Sequence, residues 1–163
     1  VADAAGPSRR LDERLGNVLF DVWLVSRAAT ARIDAVLGGA GLDADEFAVY
    51  SVLASTDGMT PTELAHWMAA PATTVSSYAQ RFVRRGHAER VPNPDDGRSH
   101  RIRLTGEGRR VHQAAGLLFL PLLDEVTRHL GEDAAPTHDR LRALHDAITA
   151  ADPPDGAARP PAP

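Results

Sequence analysis

Thr60-Pro61-Thr62-Glu63-Leu64-Ala65-His66-Trp67-Met68-Ala69-Ala70-Pro71-Ala72-Thr73-Thr74-Val75-Ser76-Ser77-Tyr78-Ala79-Gln80-Arg81-Phe82-Val83-Arg84-Arg85-Gly86 is the stretch that decides the fold. Thr60 stands as an N-cap before Pro61 at the first helical position, and Glu63 completes a capping box. A short helix to about Met68 is expected, burying Leu64, Ala65 and Met68. Ala69-Ala70-Pro71 turns the chain. A second helix from about Ala72 to Arg85 sets Val75, Tyr78, Ala79 and Phe82 at i, i+3, i+4 and i+7, and Gly86 ends it. Two helices so joined make a helix–turn–helix.

The outward positions of the second helix are Ala72, Thr73, Thr74, Ser76, Ser77, Gln80, Arg81 and Arg84, and no Asp or Glu stands among them. In a helix–turn–helix the N-terminal part of this helix enters the DNA major groove. Thr and Ser suit phosphates and base edges, and Gln can bind adenine through two hydrogen bonds. Thr73, Thr74, Ser76, Ser77, Gln80, Arg81 and Arg84 are therefore candidate DNA contacts. The bland reading is a solvated helix face that happens to lack acids; the capped helix before it favours DNA.

Downstream, His87–Pro92 and Arg101–Leu104 flank a turn over Asn93–His100, and Asp96-Gly97 is a strong hairpin signal. Arg98 at such a tip can enter a narrow minor groove, and Arg101 adds a second candidate contact. The order resembles the winged helix–turn–helix of the MarR (multiple-antibiotic-resistance regulator) family, whose signature is an Asp-x-Arg turn followed by Leu-Thr. Asp96, Arg98, Leu104 and Thr105 stand in that register. In the family manner Asp96 would brace Arg98. Gly97 departs from the commonest form, which has another arginine there, and leaves Arg98 as the principal wing contact.

The resemblance covers about Leu15 to Ile148. It implies a mainly α fold with a small β-hairpin wing, the winged helix–turn–helix spanning about 43–104. Helices over about 11–38 and 105–151 would form a homodimer. The implied function is a sequence-specific regulator of transcription on double-stranded DNA, a repressor on a pseudo-palindromic operator, released by a small aromatic or anionic effector. Phe20, Trp23, Arg27, Tyr50 and His66 offer stacking faces and an anion partner for such an effector. The competing class is a helical dimeric ligand-sensing or protein-interaction module that has lost DNA binding.

The flanks fit this plan. From Leu11 to about Leu37, Leu15, Val18, Leu19, Val22, Val25, Ala29, Ile33 and Val36 recur at helical spacing, with Phe20, Trp23 and Leu24 as a second stripe. Gly38-Gly39 is expected to stop this helix. Asp43 or Asp45 then caps a helix to about Ser55 whose inner face would be Phe47, Tyr50, Val52 and Leu53, and Thr56-Asp57-Gly58 turns. A long helix should follow from Thr105 to about Leu130 through Pro121, and Thr137 should cap the last one. The apolar run Leu117–Leu123 and the double-striped first helix offer more apolar surface than one small lobe can cover, which favours a dimer. Residues 1–10 read as a loose arm, 11–151 as a single domain, and 152–163, rich in Pro and Ala, as a disordered tail.

The net charge of −4 is unusual for a DNA reader, but residues 60–104 hold seven Arg against four acids, a local +3 that leaves −7 elsewhere. A positive module in an acidic body touches DNA with one face and repels it elsewhere. No apolar run reaches the roughly 20 residues of a membrane helix, no signal peptide opens the chain, and there is no cysteine, so a cytoplasmic protein fits best. Seven histidines stand without ligand spacing, so no metal is expected. No catalytic motif, phosphate-binding glycine loop or carboxylate pair supports an enzyme, and no cofactor is implied.

Overall fold

Thr60 starts its helix as the sequence requires. Its Oγ1 accepts the Glu63 N–H at 3.2 Å, while the Glu63 carboxylate accepts the Thr60 N–H at 2.7 Å. Those bonds from Thr60 hold the Glu63 carboxyl below the usual carboxylate range. The computed structural model describes residues 16–151; the expected arm, Leu11–Leu15 of the first helix, and the tail lie outside the described residues. Along the chain come α1 (Val18–Leu37), α2 (Ala44–Ala54), α3 (Pro61–Trp67), α4 (Ala72–Arg84), β1 (Ala88–Pro92), β2 (His100–Leu104), α5 (Gly106–Leu130) and α6 (Ala134–Ala150). They group into two compact units that divide between Leu122 and Leu123.

In the first unit the helix–turn–helix packs as its periodicity predicts. Val75, Tyr78, Ala79 and Phe82 of α4 are buried, and the Tyr50 and Phe82 rings meet edge-on at 4.6 Å. Leu37, Leu53, Leu64, Ile102 and Leu104 close the core around them. Fully burying one such side chain stabilises the fold by about 1.5–3 kcal/mol. The inner face of α2 is Glu46, Val49, Tyr50 and Leu53. Val49 thus takes the place expected of Val52, and Phe47 turns aside to pack on Phe119 at 5.3 Å. The turn between α3 and α4 bends at Ala69, a non-glycine residue with φ of +48°.

The wing is a two-stranded antiparallel hairpin, with Ala88 opposite Leu104 and Pro92 opposite His100. It begins one residue later than expected because the His87 backbone is used otherwise. Its N–H goes to the Phe82 carbonyl at 2.9 Å and its carbonyl accepts the Thr105 N–H at 3.0 Å. Met59 adds a third, one-residue strand, exchanging both backbone bonds with Ile102 at 3.0 and 2.7 Å. Gly58, at φ of +116°, makes that approach possible, since a Cβ there would lie 3.1 Å from the Ile102 carbonyl oxygen.

Two expected boundaries are corrected. Gly38 keeps right-handed helical backbone and opens a short 3₁₀ turn over Gly38–Ala40; the left-handed residue is Gly41, at φ of +68°. Thr137 does not cap the last helix, which already starts at Ala134 after a 3₁₀ turn over Gly131–Asp133. Pro136, which lacks a backbone N–H, is tolerated there because positions in the first helical turn need no intrahelical donor. The hairpin turn also departs from the Asp-Gly expectation. Gly97 is not left-handed, and a Cβ on it would meet nothing within 4 Å.

Gly108 is the glycine that packing demands. A Cβ there would fall 2.0 Å from the His87 carbonyl oxygen. Gly108→Ala is therefore expected to lower unfolding free energy by about 1–3 kcal/mol, and Gly97→Ala to stay within about 0.5 kcal/mol of wild type, both measured by urea denaturation. Equal stability of the two variants would contradict this packing.

Candidate nucleic-acid interface

Helix α4 presents Thr73, Thr74, Ser76, Ser77, Gln80 and Arg84 to solvent on one exposed face. Arg81 departs from this group. Its guanidinium lies 3.0 Å from the Glu46 carboxylate and 4.9 Å over the Tyr78 ring. Arg85 reaches the same carboxylate, donating to both oxygens at 3.1 Å. Glu46 itself is only 2 % exposed. A buried carboxylate is tolerable only when paired and hydrogen-bonded, and here both oxygens are engaged.

At the wing tip, Asp96 Oδ1 accepts the Arg98 backbone N–H at 3.0 Å, and its carbonyl accepts the Ser99 N–H at 3.0 Å. Asp96 thus shapes the turn that carries Arg98 and does not hold the guanidinium. Arg101 is braced instead: Asn93 Oδ1 accepts from its Nε at 3.0 Å, and Asp95 Oδ2 from Nη2 at 2.6 Å. Asn93, buried at the base of the turn, also donates to Ser99 Oγ at 2.7 Å. Arg103 pairs with Glu89 across the strands at 2.8 Å. Of the seven arginines in this segment, Arg84, Arg90 and Arg98 therefore keep guanidinium groups with no acidic partner among the described residues. Gln80, Arg84, Glu89 and Arg90 line a shallow cleft of about 540 Å³ with Val83 and Ala88.

Sequence reasoning missed Glu46, Asn93, Asp95 and Arg90. The Asp43–Glu46 spacing of a capping box was a signal for the first, but only half of that box forms. Asp43 accepts the Glu46 N–H at 2.7 Å, and the Glu46 side chain goes to the arginines.

The five residues considered for an effector are not gathered by the structure. Phe20 and Trp23 stack on α1 with centroids 5.7 Å apart, Trp23 being 56 % exposed, and Arg27 is exposed on the same helix. His66 is exposed on α3. Tyr50 is fully enclosed, its hydroxyl 2.8 Å from His87 Nδ1. Burial pushes the Tyr50 phenol up to about 12. His112, packed on Phe47, donates from Nε2 to Ser51 Oγ at 3.0 Å, because that hydroxyl already donates to the Phe47 carbonyl. Burial holds the His112 imidazole below its ordinary range. Among the described residues no group of three His, Asp or Glu could hold a metal, and no helix is long and apolar enough to cross a membrane.

A sequence model described as the MarR family matches residues 40–99, the segment from the start of α2 to the wing tip. The multiple antibiotic resistance protein MarR of Escherichia coli (strain K12) is 26% identical over 121 residues, covering 74% of this chain and 84% of that protein. Among solved structures, the M. tuberculosis transcriptional regulator MOSR, in complex with DNA, superposes with a TM-score of 0.69 at 24% identity over 82% of this chain and 98% of that one. The PcaV transcriptional regulator of Streptomyces coelicolor, in complex with its natural ligand, gives 0.70 at 22% identity over 85% and 98%. Over these residues the chain is similar to the MarR family. The two solved structures share its fold: a mainly helical chain with a two-stranded wing. The MarR family is one of transcriptional regulators, not of enzymes.

The Tyr50 phenol gives a test of this lobe's interior. Its pKa is raised in the fold from 10.0 to about 12, so its contribution to stability is complete below pH 10 and is lost as pH rises toward 12. Wild type should lose stability across that window in chemical denaturation, and Tyr50→Phe should lose less. Parallel curves for the two proteins would contradict an enclosed, neutral Tyr50.

Proposed function

We propose that this chain is a sequence-specific double-stranded-DNA-binding regulator of transcription, a repressor that acts as a homodimer and is released by a small-molecule effector. The observation that carries the reading is the acid-free outer face of α4, flanked by unpaired arginines at Arg84 and at the wing tip, Arg98. Thr73, Thr74, Ser76, Ser77 and Gln80 would read base edges and phosphates in the major groove, and Arg98 would enter the adjoining minor groove. Arg81 and Arg101, each engaged by an acid of the same chain, would contribute chiefly by fixing α4 and the wing. The related MOSR structure is of a complex with DNA, and the PcaV structure of a complex with its ligand, which supports both halves of the reading.

Dimerisation is supported by apolar surface left open on helices that precede and follow the winged segment in sequence. Val18, Leu19 and Val25 of α1 and Leu117 of α5 are each more than half exposed, and in the second unit Leu141 and Ile148 of α6 are exposed. Such surface marks a protein interface when it is contiguous and rimmed by polar groups. On this reading residues 11–151 work as one module, with the winged segment over 43–104 borne by dimerisation helices on either side, in the cytoplasm and without a cofactor. An effector small enough to stack on Phe20 and Trp23 would find Arg27 one turn further along α1.

Fluorescence anisotropy on a duplex selected from a randomised library tests the assignment. Affinity should fall steeply with salt, since about 6–10 phosphate contacts cost roughly 10³–10⁵ in affinity between about 50 and 200 mM. Arg98→Ala should weaken binding to all duplexes by a similar factor and soften the A·T preference beside each half-site. Gln80→Ala should instead change preference at particular base pairs, by about 1–3 kcal/mol. Affinity flat in salt would remove the DNA-binding reading; wild-type binding by Arg98→Ala would make the wing purely structural.

A further inference from the structure

Helices α2 and α3 open with the same spacing, an oxygen-bearing cap followed three residues later by glutamate, yet the two glutamates are used differently. Glu63 folds back to the Thr60 N–H and completes its cap. Glu46 turns away from the Asp43 cap and into the lobe, where it is buried at 2 % exposure. Arg81 Nη1 stands 3.0 Å from its Oε1, and Arg85 Nη1 donates to both oxygens at 3.1 Å. The two arginine side chains keep only 35 % and 36 % of their exposure. Arg81 is held on a second side by the Tyr78 ring.

We propose that Glu46 is a specificity-determining residue, which withholds Arg81 and Arg85 of the recognition helix from the DNA phosphates. The proposal rests on the DNA-binding reading of α4. Arg81 follows Ser77 by one helical turn and adjoins Gln80, so a released guanidinium would stand beside the groups that read bases. Phosphate contacts add affinity for every sequence alike, whereas base contacts discriminate. Two more phosphate-binding arginines on each subunit would raise affinity for random DNA and dilute the contribution of Thr73, Thr74, Ser76, Ser77 and Gln80. With Glu46 in place, α4 keeps Arg84 as its one cation without an acidic partner among the described residues. The carboxylate also ties the C-terminal half of α4 to α2, so the helix is presented to DNA in one position.

The test compares wild type, Glu46→Gln and Arg81→Gln on two probes, the duplex selected from a randomised library and a random-sequence duplex, across a salt series. Circular dichroism checks that each variant is folded. Glu46→Gln should bind the random duplex more tightly and lower the selected-to-random affinity ratio several-fold. Its slope of log affinity against log salt should steepen by about 0.9 for each arginine that gains a phosphate. Arg81→Gln should leave the wild-type slope unchanged, because Arg81 is already withheld. An unchanged slope and ratio in folded Glu46→Gln would overturn the proposal. So would a slope reduced by about 0.9 per subunit in Arg81→Gln, which would mean that Arg81 grips a phosphate in the wild type. Should Glu46→Gln fail to fold, the Arg81→Gln slope decides alone, in the same two directions. Wild type that bound neither duplex would instead sink the DNA-binding reading itself.

Discussion

Four elements of this lobe meet at the backbone and ring of His87, and the placement of the wing depends on that meeting. Gly86, left-handed at φ of +72°, ends α4 and turns the chain so that the His87 N–H still reaches the Phe82 carbonyl. The His87 carbonyl then receives the Thr105 N–H, while the Thr105 hydroxyl donates to the Gly86 carbonyl at 2.8 Å and caps the Gly108 N–H. Only a glycine at 108 lets the first turn of α5 come so close. From α2, the Tyr50 hydroxyl takes the His87 ring. The recognition helix, the wing, α5 and α2 are thereby fixed to one another through one residue. A hairpin anchored at its base can carry a charged tip at a set distance from the recognition helix, which is the geometric requirement for reading two grooves at once.

Much of this was legible in the sequence because it is written in local chemistry. Capping boxes, glycine stops and 3.6-residue periodicity act over a few residues, so α3, α4 and α5 emerge with boundaries shifted by no more than a residue or so. The errors fall where a distant partner competes. Val49 displaces Val52 from the inner face of α2 because Glu46, in line with Val49 and Tyr50, is drawn inward by arginines 35 and 39 residues away. The wing turn looked like a tight Asp-Gly bend, but Asn93, Asp95 and Arg101 close a longer loop in which Gly97 needs no special backbone. The third strand at Met59 has no sequence signature of its own, since a single-residue bridge is set by what lies beside it.

Charge follows the same logic. Counting residues 60–104 gives a surplus of positive charge, yet counting does not say which arginines can reach DNA. Four of the seven are engaged by Glu46, Asp95 and Glu89, and three stand free of acidic partners among the described residues, one on α4, one on β1 and one at the wing tip. The distribution separates arginines tied to acids of the fold from arginines with no acidic partner among the described residues. Arg90 belongs to the second set and lines the cleft with Arg84, although nothing in the motif singled it out.

The central claim is that two copies of this lobe, related by two-fold symmetry, place their α4 helices in successive major grooves of one duplex. Hydroxyl-radical and methylation footprinting on the duplex selected by the protein tests it most directly. The account predicts two equivalent major-groove protections about 10 bp apart centre to centre, each flanked by a protected minor groove where Arg98 enters. A single protected half-site, or major-groove protection without the flanking minor-groove signal, would contradict it.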